Sequence, residues 1–370
     1  MSDYRGIIFA YKSYPELGTL VDNRTAASLP ICGRYRLIDF SLSSLRNAGI
    51  VNVGVVMQRD YQSLLDHVGS GKPWDMSRRE GGLRLLPPFG LPNYHTGNYS
   101  GTIEALNAVS SYIEESPQKY IVLMLGNLCA NINLKEVCRT HERSGAEITA
   151  ICANYVPDVL HHRYVVDEDG FVTDVLFDRQ GNGEGIPSLE CYIINKDTLL
   201  SLMDYCKSSA LHCFHQDAIM KFLRDGKRMR TYMHRTYARI IKDVNGYYAA
   251  NMDILSSANR AALFPPSRPV RTKEQQCVST YYAEGSCSRN CLVADDCFIE
   301  GSIENSIIFP GVHIGKGTTV RNSILMKDTD VGDGCTLDCV ISDKNVTISS
   351  GKTLTVAPEQ PYVIKKNATL

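Results

Sequence analysis

"CFIEGSIENSIIFPGVHIGKGT" (Cys297–Thr318) decides how the last part of this chain folds. Ile308 and Ile314 are six residues apart, and Val320 continues the step. Leu292 and Phe298 before them, and Val331 and Leu337 after them, keep the same interval. Within these hexads the fifth residue is often small: Ser302 after Phe298, Thr318 after Ile314, Cys335 after Val331. Glycine follows the aliphatic residue in "IGKGTT" and "VGDGCT". One aliphatic residue per six is the period of a parallel β-helix, in which that residue points inward and the small residue lets the chain turn the corner. The expectation is a left-handed parallel β-helix of hexapeptide repeats over residues 276–370. The repeat slips in places, which predicts irregular turns.

Upstream the pattern is different. "GIIFA" (Gly6–Ala10), "VNVGVVM" (Val51–Met57), "YIVLML" (Tyr120–Leu125) and "EITAICANY" (Glu147–Tyr155) are short apolar strands. Between them lie helical stretches: Ile38–Ile50, with Leu42 and Leu45 on one face and Gly49 as a stop, and Gly101–Glu115, with Ile103, Leu106, Val109 and Ile113 in a stripe. Strands alternating with helices predict a Rossmann-like α/β domain with a mainly parallel sheet covered on both faces. Such sheets bind ligands beyond the carboxyl ends of their strands. The loops after Ala10, Met57 and Leu125 are therefore the places to search. "LFPPSRPV" (Leu263–Val270) is a proline-rich break. It divides the chain into an α/β domain over 1–262, a linker over 263–275 and the β-helix.

Bulk properties exclude several classes. Lys and Arg number 39 against 40 Asp and Glu, a net charge of −1, so no field exists for nucleic acid or an anionic membrane. No apolar run spans a membrane and "MSDYRGIIFAY" does not read as a signal peptide, which leaves the cytoplasm as the default location. The 13 cysteines lie in apolar contexts such as "ITAICANY" and read as reduced core residues. Cys287 with Cys291 and Cys335 with Cys339 have zinc-like spacing, but Cys335 falls on an inward position of its hexad.

"GRYRLIDFSLSSLRNAGI" (Gly33–Ile50), "YSGTIEAL" (Tyr99–Leu106) and the β-helix segment quoted first resemble segments of the ADP-glucose pyrophosphorylase (glucose-1-phosphate adenylyltransferase) family. The resemblance covers nearly the whole chain. It implies a nucleotidyltransferase domain followed by the hexapeptide β-helix. The activity it implies is ATP plus glucose 1-phosphate giving ADP-glucose and diphosphate, with Mg²⁺, in glycogen or starch synthesis.

Catalytic members carry L-A-G-G-x-G-T-R-L and then R-A-K-P. Aligned without a gap from "RLIDF", the three glycines fall on Tyr11, Lys12 and Tyr14, the threonine on Pro15 and the arginine on Glu16. R-A-K-P becomes Arg24, Thr25, Ala26 and Ala27, so its lysine is replaced by Ala26. The glycines let backbone N–H groups approach a triphosphate closely. Tyr11 and Tyr14 fill that space, Pro15 has no N–H to donate, and Glu16 would repel phosphate. Lys12 restores one charge but not the cradle. The family's G-D-H aspartate, a metal ligand, becomes Asn127, a poor substitute on Mg²⁺. Its second metal aspartate matches Asp243 in "IIKDVNGYYAAN". On the sugar side, Gln58, Tyr99, Gly101, Thr102 and Ser188 match pocket positions, although the glycine two residues past the serine is Glu190. The lysine of E-K-P falls on Asp178, or on Arg179 with a one-residue shift, and Arg179 could hold a phosphate.

This combination is most similar to the family's non-catalytic, regulatory GlgD-type branch. It implies a homo- or hetero-oligomer, a tetramer by resemblance, in which this chain tunes a catalytic glucose-1-phosphate adenylyltransferase subunit. Two other readings stay open. One is an active enzyme in which Lys12, Arg24 and Asp243 take over phosphate and metal contacts. The other is a free-standing sugar-phosphate sensor. Several residues have plainer readings. Asp39 starts a helix and reads as its N-cap, and Asp243 can be bonded to nearby backbone. Arg34 and Arg36 are an anion patch or solvated charges. His161, His162 and Arg163 read as a surface loop, and His212 and His215 as a structural pair. His313 could serve hexapeptide-type acyl transfer, but the β-helix reads better as a surface for subunit contacts.

Overall fold

The computed structural model describes residues 3–12, 14–87, 99–154, 162–177, 185–274 and 276–370. Asp178, Arg179 and His161 lie outside them. Four strands, β1 (Tyr4–Phe9), β2 (Val53–Val56), β3 (Leu83–Leu86) and β4 (Tyr120–Leu125), run parallel in the order β4-β1-β2-β3. β1 shows why these stretches are apolar throughout. Ile8 belongs to the core on one face of the sheet, Ile7 and Phe9 to the core on the other.

Beyond β4 the sheet becomes mixed. After the short β5 (Leu128–Ala130) come β6 (Ile148–Ala153), the antiparallel pair β7 (His162–Val166) and β8 (Val172–Phe177), and then β9 (Ile186–Asn195). β9 is antiparallel to β4, β6 and β7 at once. β10 (Met229–His234) adds in parallel to β6, and β11 (Ala238–Ile240) pairs with β5. The parallel strands form one side of the sheet, and the ends of β1, β2 and β4 open on the expected loops.

Two helical details differ from expectation. Helix α1 (Leu37–Asn47) buries Leu42 and Leu45, but its N-cap is Arg36. Asp39 stands at the third helical position and returns a carboxylate oxygen to the Arg36 N–H (2.9 Å), one half of a capping box. Its other oxygen lies 2.6 Å from His67 Nε2. The stretch 101–115 is two helices, α2 (Thr102–Ala108) and Ser110–Glu114, parted at Val109, whose ψ is 21°. A β-branched residue followed by two serines weakens the helix there. Ile103, Leu106, Val109 and Ile113 are all buried even so.

The C-terminal region is three parallel sheets of five short strands each, stacked coil on coil as in a left-handed hexapeptide β-helix. Ile308, Ile314, Val320, Val331 and Leu337 line its interior. Paired positions are 17 residues apart in the regular coils (His313, Asp330, Thr347) and 15 apart in one earlier coil (Phe298, His313). Phe298 corrects the hexad register: it is 43% exposed, and Ile299 takes the inward position. Cys335 is enclosed in the coil, its Sγ 3.2 Å from the Ser349 carbonyl oxygen.

The two regions share a core, in which Leu17, Leu20 and Phe40 meet Phe309, Ile324 and Ile341. At its edge the buried Arg24 donates to the Leu20 carbonyl (2.6 Å) and to the carboxylate of Asp343 in the β-helix. The proline-rich connection is fastened to the α/β domain. Asn131 Nδ2 donates to the carbonyls of Leu263 and Arg268 (2.8 Å each), and Arg271 N–H to Ser43 Oγ (2.8 Å). Among the described residues no helix is long and apolar enough to cross a membrane.

Candidate functional site

The loops leaving β1 and β2 enclose a cavity of about 280 Å³, lined by Tyr11, Lys12 and Tyr14 after β1, by Gln58 after β2, and by Arg24 and Ala26. Small-molecule sites run from about 300 to 1,000 Å³, so this one falls just short of the range. Tyr11 accounts for much of the filling. It is buried, stands edge-on to the Tyr99 ring at 5.1 Å, and donates its hydroxyl to Thr102 Oγ1 (3.3 Å). Tyr99 and Thr102, both singled out from the sequence, thus hold the Tyr11 ring in place. Gly101 has its own reason to be glycine, since a Cβ there would stand 2.3 Å from the His212 carbonyl oxygen.

The next residues form a 3-10 segment, Pro15–Val21, with proline at its first position. The Leu17 N–H turns back to the Tyr14 carbonyl (3.0 Å), so that amide is spent inside the loop. Glu16 lies in the first turn of this segment and is exposed. It is not the acid that meets Lys12.

That acid is Glu190. β9 carries an irregularity opposite β6: Ser188 pairs with Cys152 and Cys191 with Ile151, leaving Leu189 and Glu190 bulged. Glu190 has φ +53°, the left-handed region that favours glycine. Its N–H donates to Ser188 Oγ (3.0 Å), which pins the bulge. The side chain is thereby aimed at two lysines. Lys12 Nζ lies 2.6 Å from one carboxylate oxygen and Lys242 Nζ 2.9 Å from the other. Glu190 is 7% exposed. Burial alone would raise its pKa, but Lys12 and Lys242 outweigh burial and hold it well below the usual carboxylate range. Burial likewise works against the charge on Lys12, and Glu190 reverses the balance, holding that ammonium above its usual value.

Behind the bulge lies a neutral polar floor. The Tyr192 hydroxyl is 2.8 Å from that of Tyr164, 2.7 Å from His215 Nε2 and 3.3 Å from Ser188 Oγ. His162 stacks on His215 with ring centroids 3.8 Å apart. Burial pushes His162 down to about 4 and His215 well below its usual value, so both rings are neutral at pH 7. His162 therefore belongs to this floor and not to a surface loop. Ser188 is fully buried and is committed to Glu190 and Tyr192.

Asn127 and Asp243 are near each other but differently occupied. Asn127 Nδ2 donates to the Ile241 carbonyl (2.7 Å), and its own carbonyl accepts from the Ile241 N–H (3.0 Å). Asp243 is the N-cap of α3 (Val244–Asp253), accepting from the Gly246 N–H at 2.6 Å. Mg²⁺ takes hard oxygen ligands in a strict octahedron and is usually held by carboxylates. One capping carboxylate and one backbone-tied amide, with Lys242 adjacent in sequence to Asp243, do not suit it. Among the described residues no three His, Cys, Asp or Glu side chains group as a metal site.

Sequence reasoning marked Tyr11, Tyr14, Ala26, Gln58 and Lys12, and the fold brings them together. Arg24, a candidate phosphate ligand, points its guanidinium at Asp343. Arg36 is tied to the backbone and side chain of Ser63. His313 lies outside the cleft, between Asp330 (2.7 Å) and Glu300 (3.3 Å). The residues missed were Lys242 and the bulge. The available signal was a glutamate at a glycine position with two lysines elsewhere to meet it.

Two families match the chain. The nucleotidyl transferase family matches residues 19–257, and the GlmU-like C-terminal hexapeptide family matches residues 274–362. A glucose-1-phosphate adenylyltransferase of Fusobacterium nucleatum is 30% identical over 309 residues, 82% of this chain and 80% of that protein. One from Halalkalibacterium halodurans is 30% identical over 320 residues, 85% of this chain and 83% of its own. The glycogen biosynthesis protein GlgD of Bacillus subtilis is 33% identical over 305 residues, 82% of this chain and 79% of its own.

Proposed function

The chain belongs to the glucose-1-phosphate adenylyltransferase family, and we propose that within it the chain is a non-catalytic, regulatory subunit that modulates a catalytic partner in cytoplasmic glycogen synthesis. The observation that carries this reading is the self-occupied cleft. Tyr11 fills the place of the phosphate cradle, and Glu190 holds the cations Lys12 and Lys242. Asn127 and Asp243 serve backbone contacts where a nucleotidyl transfer site needs metal ligands. Triphosphate chemistry depends on positioning and charge neutralisation by such groups, and here each is engaged elsewhere. The likeness to a protein named for glycogen biosynthesis, GlgD, supports the same reading.

A subunit without turnover can act only through association. If this chain packs better on the active conformation of its partner, assembly raises the partner's rate or affinity by that preference and no more. The β-helix offers faces for such contacts, with the ring of Phe298 stacked on Tyr281 (4.9 Å) on an exposed face.

The test is an assay of a catalytic relative that keeps the glycine loop, with and without this protein. The expected result is no ADP-glucose formation by this chain alone and at least a several-fold change in the partner's kcat/KM on mixing. Turnover of ATP and glucose 1-phosphate by the purified chain at the partner's rate would refute the reading.

A further inference from the structure

Glu190 stands where the family has a glycine of the sugar pocket, and this residue does more than lose a glycine. Its backbone is held at φ +53°, the left-handed region that disfavours a residue with a Cβ. Such strain persists only where the surroundings over-determine it. Here they do: the bulge between Ser188 and Cys191 and the Ser188 Oγ contact fix the backbone, and two ammonium groups fix the side chain. The lysines come from separate segments. Lys12 follows β1, and Lys242 precedes the capping residue of α3. Neither is near Glu190 in sequence, and both are about one-fifth exposed while the carboxylate between them is almost fully enclosed.

Two cations converging on the two oxygens of one enclosed anion is the arrangement that recognises a phosphomonoester, which offers more oxygens and more charge than a carboxylate. We propose that Glu190 is a built-in anionic occupant of this site: it takes the place of a phosphomonoester on Lys12 and Lys242, and removing its carboxylate uncovers an anion-binding site. This inference rests on the proposed non-catalytic reading in one respect, that the cleft is closed in the native chain. It adds the agent of closure and the ligand class that closure excludes. Tyr11 and Tyr14 remain in place when Glu190 is changed, so the uncovered site would take a single phosphate and not a triphosphate.

The experiment is isothermal titration of the full chain with inorganic phosphate and with glucose 1-phosphate, in native form and as Glu190→Gly. Glycine suits the left-handed backbone and leaves both lysines facing the space that the carboxylate vacates. The expected result is at least ten-fold tighter binding of either probe by the variant. The gain should be lost when Lys12→Met is added. A preference for glucose 1-phosphate over phosphate would identify a sugar subsite beside the anion site, and equal binding would identify the anion site alone. A folded Glu190→Gly that binds neither probe more tightly than the native chain overturns the proposal. So does a gain that survives in the triple variant with Lys12→Met and Lys242→Met. If Glu190→Gly does not fold, Glu190→Asn, whose shorter neutral side chain tolerates the left-handed backbone and withdraws from the lysines, is read by the same criteria through the rise in Tm that each probe causes. The partner assay stays separate. A phosphate gain without any effect of the native chain on a catalytic relative would sink the regulatory reading and leave this inference standing.

Discussion

The cleft and the seam between the two domains each bury one carboxylate among several cations, but differ in how many of those cations pair with it directly. In the cleft one carboxylate, Glu190, has two lysines, one on each oxygen. In the seam one carboxylate, Asp343, receives Arg24 as its one direct ionic partner among the described residues, while Arg36 and Lys344 crowd the same neighbourhood. A cavity of about 210 Å³ there is lined by Arg24, Asp343, Lys344, Lys365 and Lys366. In the cleft both cations reach the acid directly, one on each oxygen. The seam holds more positive charge than its buried acid can answer. The lesson is that a spare partner, and not burial alone, decides how much each ion pair matters to the fold.

Deleting one cation from each region should break the symmetry most clearly. Arg24→Met removes the direct cationic partner of Asp343, which is 1% exposed, and also abandons the Leu20 carbonyl. Leaving a buried charge uncompensated costs about 3–5 kcal/mol. Calorimetry should show that loss, together with separation of the single unfolding event into two, because this pair ties the α/β domain to the β-helix. A loss below about 1 kcal/mol would rank the seam with ordinary surface pairs.

The matching deletion in the cleft, Lys12→Met, should cost less. Lys242 remains 2.9 Å from the other oxygen of Glu190, so the carboxylate keeps a partner and loses one charge-assisted hydrogen bond, about 1.5–3 kcal/mol. The pH dependence sharpens the point. The folded-state pKa of Glu190 is depressed, so its contribution is fully present above the unfolded carboxylate value and is lost as pH falls through the folded one. Lys12→Met weakens that depression and should shift the acid-unfolding midpoint to higher pH, read by circular dichroism between pH 2 and 5. An unchanged midpoint would mean that Lys242 alone sets the charge state of Glu190.

These partnerships were unevenly legible in the sequence. The hexad aliphatics could be read because a β-helix repeats one local rule, and Ile314, Val320, Val331 and Leu337 obey it. Phe298 misled because Ile299, one position on, fits the same rule in a coil that is two residues shorter. Asp39 was placed near a helix start correctly but at the wrong position, since a capping box puts an acid at its third residue as well as a polar residue at its cap. The loop residues Tyr11 and Tyr14 could be judged as bulk wherever they pointed. Glu190 could not. Its role needs a bulge set by pairing with a strand far away in sequence, and lysines from two further segments. Lys242 stands beside Asp243, and nothing in its local pattern marks it as a partner for a glutamate 52 residues earlier.

The smallest effect concerns the positive charge that the seam leaves unanswered. Burial, and then the nearby Arg36 and Arg24, push Lys344 down to about 7, against a partial return from Asp343. An unfolded lysine titrates near about 10.4, so between roughly pH 7 and 10 the unfolded chain carries a proton that the folded chain does not. Stability therefore rises with pH across that window, and the full cost of charging Lys344 is present below it. The side chain is half-buried, so solvent screening should reduce the effect to about 1 kcal/mol between pH 7 and 9. Lys344→Met should remove that slope and raise the urea midpoint at pH 7, while leaving it nearly unchanged at pH 9. The same comparison in 0.5 M sodium chloride should shrink the difference, because the opposing charges are Arg24 and Arg36 across a partly open cavity. A Met variant with the native slope would place the excess charge of the seam on Lys365 and Lys366 instead, and would remove the contrast with the cleft, where each lysine pairs directly with the carboxylate.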